Sequence, residues 1–237
     1  MERSKFFYIR VTGDYAMFTA PETKAGGEAI SYSVCTRQAL HGIVDACYFK
    51  PVLVNVIDEV KVINQIRTHT MGSRALYSNG SPGLNYITAL ENVEYLVKFH
   101  FEWNLAREDM KNDRNMKKHE AIMERSLERG GRRDVFLGVR QFVGFVEKID
   151  EIEYTNSTSF YEDQKINFGI MFHSFIYPDK PGEKLISCYT DIVMEDGIIK
   201  FPSQEECLIK NTLSNYTFKY PKEYRSVDEE YEQYMKL

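Results

Sequence analysis

A lysine and a histidine stand side by side, Lys118-His119, in the most basic stretch of this 237-residue chain. From Lys111 to Arg140 there are nine basic residues (Lys111, Arg114, Lys117, Lys118, Arg125, Arg129, Arg132, Arg133, Arg140) against five acidic ones (Asp113, Glu120, Glu124, Glu128, Asp134), in a protein of net charge -5. An imidazole with an ordinary pKa of about 6.5 gives or takes a proton near neutrality. An ammonium beside it steadies a phosphate on which charge is building. With a phenol such as Tyr48 added, the set offers what metal-free RNA scission requires. That chemistry needs activation of a ribose 2'-OH, positive charge at the five-coordinate phosphorus, and a proton for the leaving 5'-oxygen. DNA lacks the nucleophile. No G-x-x-x-x-G-K-[ST], H-E-x-x-H or G-x-S-x-G occurs to support a P-loop, a zincin or a hydrolase elbow.

Each residue also has a plainer reading. His119 lies three residues after Met116 and four before Met123, which suits a histidine at the edge of a core. Lys118 is either a phosphate clamp or a solvated lysine at a helix start. Tyr48 is one of 16 tyrosines, and a phenol of pKa about 10 is a poor base unless perturbed. The run Arg129-Gly130-Gly131-Arg132-Arg133 reads as a loop bringing backbone and arginines to phosphates, or as a helix C-cap with solvated charges. His41, His69 and His173 are expected to be structural, and His100 to be solvated. The acidic tail from Lys222 to Leu237 lowers the total charge, so the net acidity need not extend to the basic segment.

The elements that must position these groups follow from periodicity and turn chemistry. Lys5 to Thr12 is a β-prone run closed by Gly13-Asp14, and Glu22 to Glu28 reads as a loop. Thr36 caps a helix from Arg37 to about Phe49, with Leu40, Ile43, Val44 and Cys47 on one face and Tyr48 in its last turn. Val52 to Arg67 alternates as a strand, Gly72 to Gly83 is a turn-rich loop, and Glu91 to Trp103 is the next strand. A second helix, capped by Asn112 or Asp113, ends at Gly130-Gly131, and Phe142 to Glu153 is a further strand. The order strand, helix, strand, strand, helix, strand is that of a split β-α-β, ferredoxin-like or RRM-type domain. Its two helices pack antiparallel on one face, so the end of the first lies near the start of the second. Tyr48 is therefore expected to approach Lys118 and His119.

From Tyr154 the pattern changes to strands alone: Lys165 to Tyr177, then Leu185 to Phe201 broken at Glu195-Asp196-Gly197, with a turn at Pro178 to Gly182 and a tail that is helical or disordered. Residues 1–153 are accordingly expected to form an α+β domain and residues 154–237 a small antiparallel β subdomain. A hydrophobic share of 43% with 14% aromatics fits a folded globular protein. No apolar run approaches the roughly 20 residues of a membrane span. The N-terminal Met1-Glu2-Arg3-Ser4-Lys5 leads into a strand instead of a signal core, which points to the cytoplasm. Cys35, Cys47, Cys188 and Cys207 are too scattered for a zinc site or a disulfide framework. No metal or cofactor is expected.

Four stretches together resemble one family: Y-S-V-C-T-R-Q-A-L-H-G-I-V-D-A-C-Y-F-K-P, R-E-D-M-K-N-D-R-N-M-K-K-H, E-R-G-G-R-R-D-V-F-L-G and F-G-I-M-F-H-S-F-I-Y-P. They are similar to the CRISPR-associated Cas-five proteins of type I-C, the d subtype. The resemblance implies a ferredoxin-like (RRM-type, RAMP) fold and a metal-independent endoribonuclease that cuts repeat hairpins of precursor CRISPR RNA. It implies 5'-hydroxyl and 2',3'-cyclic phosphate ends. The protein would then stay on the 5' handle of the mature RNA, among the backbone and large subunits of the interference complex. The family's catalytic tyrosine, in Y-[WF]-K-P, falls on Tyr48, with Phe49 in place of the usual tryptophan. Its Lys-His pair falls on Lys118 and His119, and Lys117 is a second lysine able to share the phosphate role. Lys117, Arg125, Arg129, Gly130, Gly131, Arg132 and Arg133 are the expected RNA-binding residues. The rival expectation is a non-catalytic RNA-binding subunit of the same complex.

Overall fold

The apolar run near the N-terminus becomes strand β1, Phe7–Ala16, with Ile9 and Val11 fully buried. The structure is a computed structural model and describes residues 2–24, 28–76, 80–178 and 183–215, with 228, 231, 232 and 235 in the tail. After a short helix α1, Pro21–Lys24, and a short strand β2, Glu28–Ile30, comes helix α2, Arg37–Cys47. Its N-cap is Thr36, whose hydroxyl accepts from the Ala39 amide at 3.2 Å. Leu40, Ile43, Val44 and Cys47 form its buried face. Burial of each larger aliphatic among them is worth about 1.5–3 kcal/mol, more than helix propensity supplies.

Strand β3, Leu53–Val62, is followed by the hairpin of β4, Thr68–Leu76, and the 22-residue β5, Pro82–Trp103. A 3-10 turn, Glu108–Asp113, leads into helix α3, Met116–Leu127. Strands β6, Val135–Phe136, and β7, Val143–Ile149, then precede helix α4, Glu151–Asn156. The remaining strands are β8, Lys165–Ile176, β9, Lys184–Glu195, β10, Ile198–Lys200, and β11, Ile209–Asn215. The result is a mixed α/β chain dominated by an antiparallel sheet. Its central strands run β3-β5-β1-β7, paired for example as Ile57↔Phe99, Ile9↔Val97 and Val11↔Val146. Helices α2 and α3 cover one face over a core that includes Phe7, Phe99, Phe101 and Met123.

The other face is partly covered as well. Tyr8, Leu96, Ile149 and Tyr154 form a second buried cluster under α4. The buried Lys61 ammonium donates to the carbonyls of Tyr154 at 2.7 Å and Ser157 at 3.1 Å, closing the C-terminal end of that helix. On the far edge β10 pairs with β3, Ile199↔Val60, so the C-terminal strands continue the same sheet. The β9–β10 turn at Asp196 (φ 52°) and Gly197 (φ 76°) has the left-handed geometry that Asp-Gly favours.

Several local expectations are corrected. The Gly72–Gly83 loop is largely a hairpin, β4 pairing with the first half of β5; its residues are mostly exposed and polar, so burial leaves no alternating signal. The expected Glu22–Glu28 loop instead begins in α1 and ends at the first residue of β2, with residues 25–27 outside the described residues, as are 77–79, 179–182 of the Pro178–Gly182 turn and most of the acidic tail. β3 stops at Val62 instead of Arg67. The strand expected to reach Glu153 ends at Ile149, where Asp150 caps α4 by accepting from the Glu153 amide at 2.7 Å. The D-E-I-E spacing carried that signal. His100 is buried, not solvated: its Nδ1 lies 2.8 Å from Asp58, at the register shift between Ile57 and Glu59, and Phe6 packs edge-on against the ring. His173 is buried between Ser174 and the Pro202 carbonyl, as expected of a structural histidine.

Candidate active site

Tyr48 is the C-cap of α2. Its backbone turns extended there (φ -155°, ψ 117°), while its amide still donates to Val44 at 3.0 Å. That turn, followed by Pro51, takes the side chain off the helix toward α3. The N-cap of α3 is Asn115, which accepts from the Lys118 amide at 3.1 Å, and not Asn112 or Asp113, which belong to the 3-10 turn. His119 therefore sits in the first turn of α3 and points inward. The Tyr48 hydroxyl lies 2.8 Å from His119 Nδ1 across 71 residues of sequence. The Ser126 hydroxyl donates to the Cys47 carbonyl and ties the two helices together below this pair.

The partners of His119 determine its proton. Nε2 lies 2.8 Å from the Asp113 backbone carbonyl, which can only accept, so Nε2 carries the hydrogen. In the neutral ring Nδ1 is then an acceptor, and the Tyr48 phenol is its donor. Trp103 packs edge-on against the imidazole, ring centroids 5.7 Å apart. Both side chains are closed to solvent: His119 is 0% exposed and Tyr48 1%. Burial raises the Tyr48 phenol above its ordinary pKa, and Asp113 adds to this while Arg132 opposes it. The Arg132 guanidinium stands 4.9 Å over the Tyr48 ring.

Lys118 is exposed beside this pair and is ion-paired with the Asp113 carboxylate. Lys50 approaches the other oxygen of the same carboxylate at 3.7 Å, and His119 Nε2 lies 3.7 Å from that oxygen too. The Lys118 hydrogen bond, with Lys50 and His119 behind it, holds the Asp113 carboxyl below the usual carboxylate range. Lys117 is exposed one residue earlier, and Asp113 pairs with Lys118 instead.

Of the two readings that the sequence left open for the arginine-glycine run, the helix C-cap is the one formed. It terminates α3, with the Gly131 amide donating to Ser126 at 2.9 Å. Gly131 has φ 103°, a conformation that L side chains rarely adopt, so glycine permits the turn that lays the loop beside Cys47 at the end of α2. From that seat Arg129, Arg132 and Arg133 line an open cleft of ≈420 Å³ with Val143, Gly144 and Phe145 of β7. Arg125, exposed in the last turn of α3, lies outside that cleft. Sequence reasoning missed Lys50, Asp113 in its ion-pairing role, and Trp103. Of these, Lys50 had a signal, lying two residues after Tyr48 in C-Y-F-K-P.

The Cas5d family model of CRISPR-associated proteins (Cas_Cas5) matches residues 6–202. The chain belongs to the Cas5d family. It is 28% identical over 167 residues, 60% of this chain and 72% of the relative, to the CRISPR pre-crRNA endoribonuclease Cas5d of Mannheimia succiniciproducens. Among solved structures it is similar to a functionally uncharacterized protein from Streptococcus mutans: 53% identity, TM-score 0.78, covering 90% of this chain and 100% of that one. It is also similar to a CRISPR-associated protein at 47% identity and TM-score 0.74, covering 90% and 99%. The span matched to the Cas5d family contains Tyr48, Lys50, Asp113, Lys118, His119 and the Arg129–Arg133 loop.

Proposed function

We propose that this Cas5d protein is a metal-independent endoribonuclease that cuts CRISPR repeat hairpins by attack of a ribose 2'-OH. The carrying observation is the 2.8 Å hydrogen bond from Tyr48 to a tautomerically fixed His119, beside the Lys118 ammonium. In this reading Tyr48 takes the proton of the 2'-OH as its own phenolic proton passes to Nδ1 of His119. The 2'-oxygen bonds to phosphorus and the bond to the 5'-oxygen breaks. Lys118 neutralises the five-coordinate phosphate and protonates the leaving oxygen, giving 5'-hydroxyl and 2',3'-cyclic phosphate ends. Lys117, Arg125, Arg129, Gly130, Gly131, Arg132 and Arg133 hold the flanking phosphates. Among the described residues no three His, Cys, Asp or Glu side chains converge as metal ligands. The name of the Mannheimia succiniciproducens relative supports the same activity.

The strand order β3-β5-β1-β7, second-third-first-fourth in the split β-α-β unit, supports a ferredoxin-like, RAMP-type reading of residues 1–153, with residues 154–237 as the β-rich extension. In the same reading the protein acts in the cytoplasm and stays on the 5' handle within the type I-C interference complex, beside its backbone and large subunits.

The test is single-turnover cleavage of repeat RNA carrying one deoxyribose just 5' of the scissile phosphate, with and without EDTA. Cutting at that bond should vanish, binding should weaken by about one hydrogen bond, on the order of 1 kcal/mol, and EDTA should change nothing on the all-ribose RNA. Cleavage of the deoxy substrate at the control rate refutes the mechanism. A second reading, a non-catalytic crRNA-binding subunit, is favoured by the closure of Tyr48 and His119 to solvent. Intact all-ribose repeat RNA after prolonged incubation selects it.

A further inference from the structure

Asp113 holds the position that an anionic substrate group would need. Its carboxylate is forked: one oxygen meets Lys118, the other lies 3.7 Å from Lys50 and 3.7 Å from His119 Nε2. Two non-bridging oxygens of a phosphodiester present the same fork, and carboxylate and phosphate are recognised by the same donors. The two ammonium groups come from opposite sides of the site. Lys50 follows Tyr48 at the end of α2, and Lys118 precedes His119 at the start of α3, so each flanks one member of the buried pair. Both lysines remain partly exposed, 42% and 46%.

Building on the nuclease reading above, we propose that Lys50 and Lys118 form a two-ammonium clamp for the scissile phosphate, which Asp113 fills until RNA displaces it. Lys50 thus becomes a further catalytic residue. If Lys118 gives its proton to the leaving oxygen, Lys50 keeps one positive charge on the phosphate. The turn that carries Asp113 is suited to yield. No side chain of Glu108–Asp113 is fully buried, Met110 alone among its apolar residues packing partly buried against the core. The turn is tethered through the Arg114 guanidinium to the carbonyls of Asn104 at 3.0 Å and Arg107 at 3.2 Å. Exposed ion pairs of this kind are individually weak, so an RNA anchored along the arginine cleft can outcompete the carboxylate. Displacement would also lift the Asp113 carbonyl from His119 Nε2 and open the pair that is now closed to solvent.

Two variants and two readouts test this. Asp113→Asn keeps the backbone carbonyl on His119 and removes the competing charge. Titrated with inorganic phosphate in the absence of RNA, by calorimetry, it should bind several-fold more tightly than the parent. Adding Lys50→Gln should cancel that gain. In single-turnover cleavage Lys50→Gln alone should slow cutting by on the order of tenfold to a hundredfold, as expected when one charge-assisted hydrogen bond is removed. Hairpin affinity should stay within a few fold. Equal phosphate affinity of the parent and Asp113→Asn, or wild-type cutting by Lys50→Gln, overturns the clamp. The phosphate titration needs no cleavage, so a protein that cut no RNA would sink the nuclease reading while this measurement still decided the clamp.

Discussion

Tyr48→Phe isolates one hydroxyl in a site closed to water. The ring stays, with its packing against Arg132 and the α2–α3 junction, and the hydrogen bond to His119 Nδ1 goes. Because His119 is fully buried, no solvent replaces the missing donor, and Nδ1 is left as an unsatisfied acceptor. Such a group costs about 1–3 kcal/mol. Relief from burying the phenolic oxygen offsets part of this. The net destabilisation expected is about 1–2 kcal/mol, and a domain of this size loses about 2–4 °C of melting temperature per kcal/mol. Urea titration of the parent, Tyr48→Phe, His119→Ala and the double variant measures it. The two single changes should be non-additive by about 1 kcal/mol, because the second removes a partner that is already absent. Single-turnover cutting by Tyr48→Phe should fall by on the order of 10²–10⁴, the usual share of general acid–base catalysis. A variant as stable as the parent that cuts at the parent rate would show that this hydrogen bond neither holds the site nor does its chemistry.

Replacing Arg132 and Arg133 together by Ala should weaken hairpin binding and flatten the dependence of log K on log salt by roughly 0.7–0.9 for each phosphate no longer neutralised; an unchanged slope would remove the cleft from the RNA path. Stability should also fall in mild acid through His173, whose pKa burial, with Arg37, pushes down to about 4. The unfolded chain takes up this proton at about 6.5, so the contribution is complete above that pH and is lost toward about 4, by about 3 kcal/mol. His100 has the opposite sign: burial lowers its pKa, but Asp58 and Glu102 outweigh that and raise it, so it favours the folded state at low pH. His173→Gln should flatten the fall in urea midpoint between pH 6.5 and 4, and a slope identical to the parent's would exclude this histidine as its source.

Much of the scaffold was legible because its signals are local. Thr36 and the Leu40, Ile43, Val44, Cys47 stripe define α2 within a dozen residues, and Asp196-Gly197 defines a hairpin within two. The order of elements then brings Tyr48 toward Lys118 and His119, since helices crossing one sheet face antiparallel join end to start. Where local signals were weak the reading failed: β4 is too polar to alternate, and α4 is too short to show a period beside its capping aspartate. The condition of each site group was decided by tertiary structure alone. Sheet register buried His100 beside Asp58, and the 3-10 turn set the Asp113 carbonyl on His119 Nε2 and its carboxylate between two lysines. A proton's position and a side chain's burial depend on atoms from distant segments meeting within hydrogen-bond distance, and residue type and spacing do not contain that geometry.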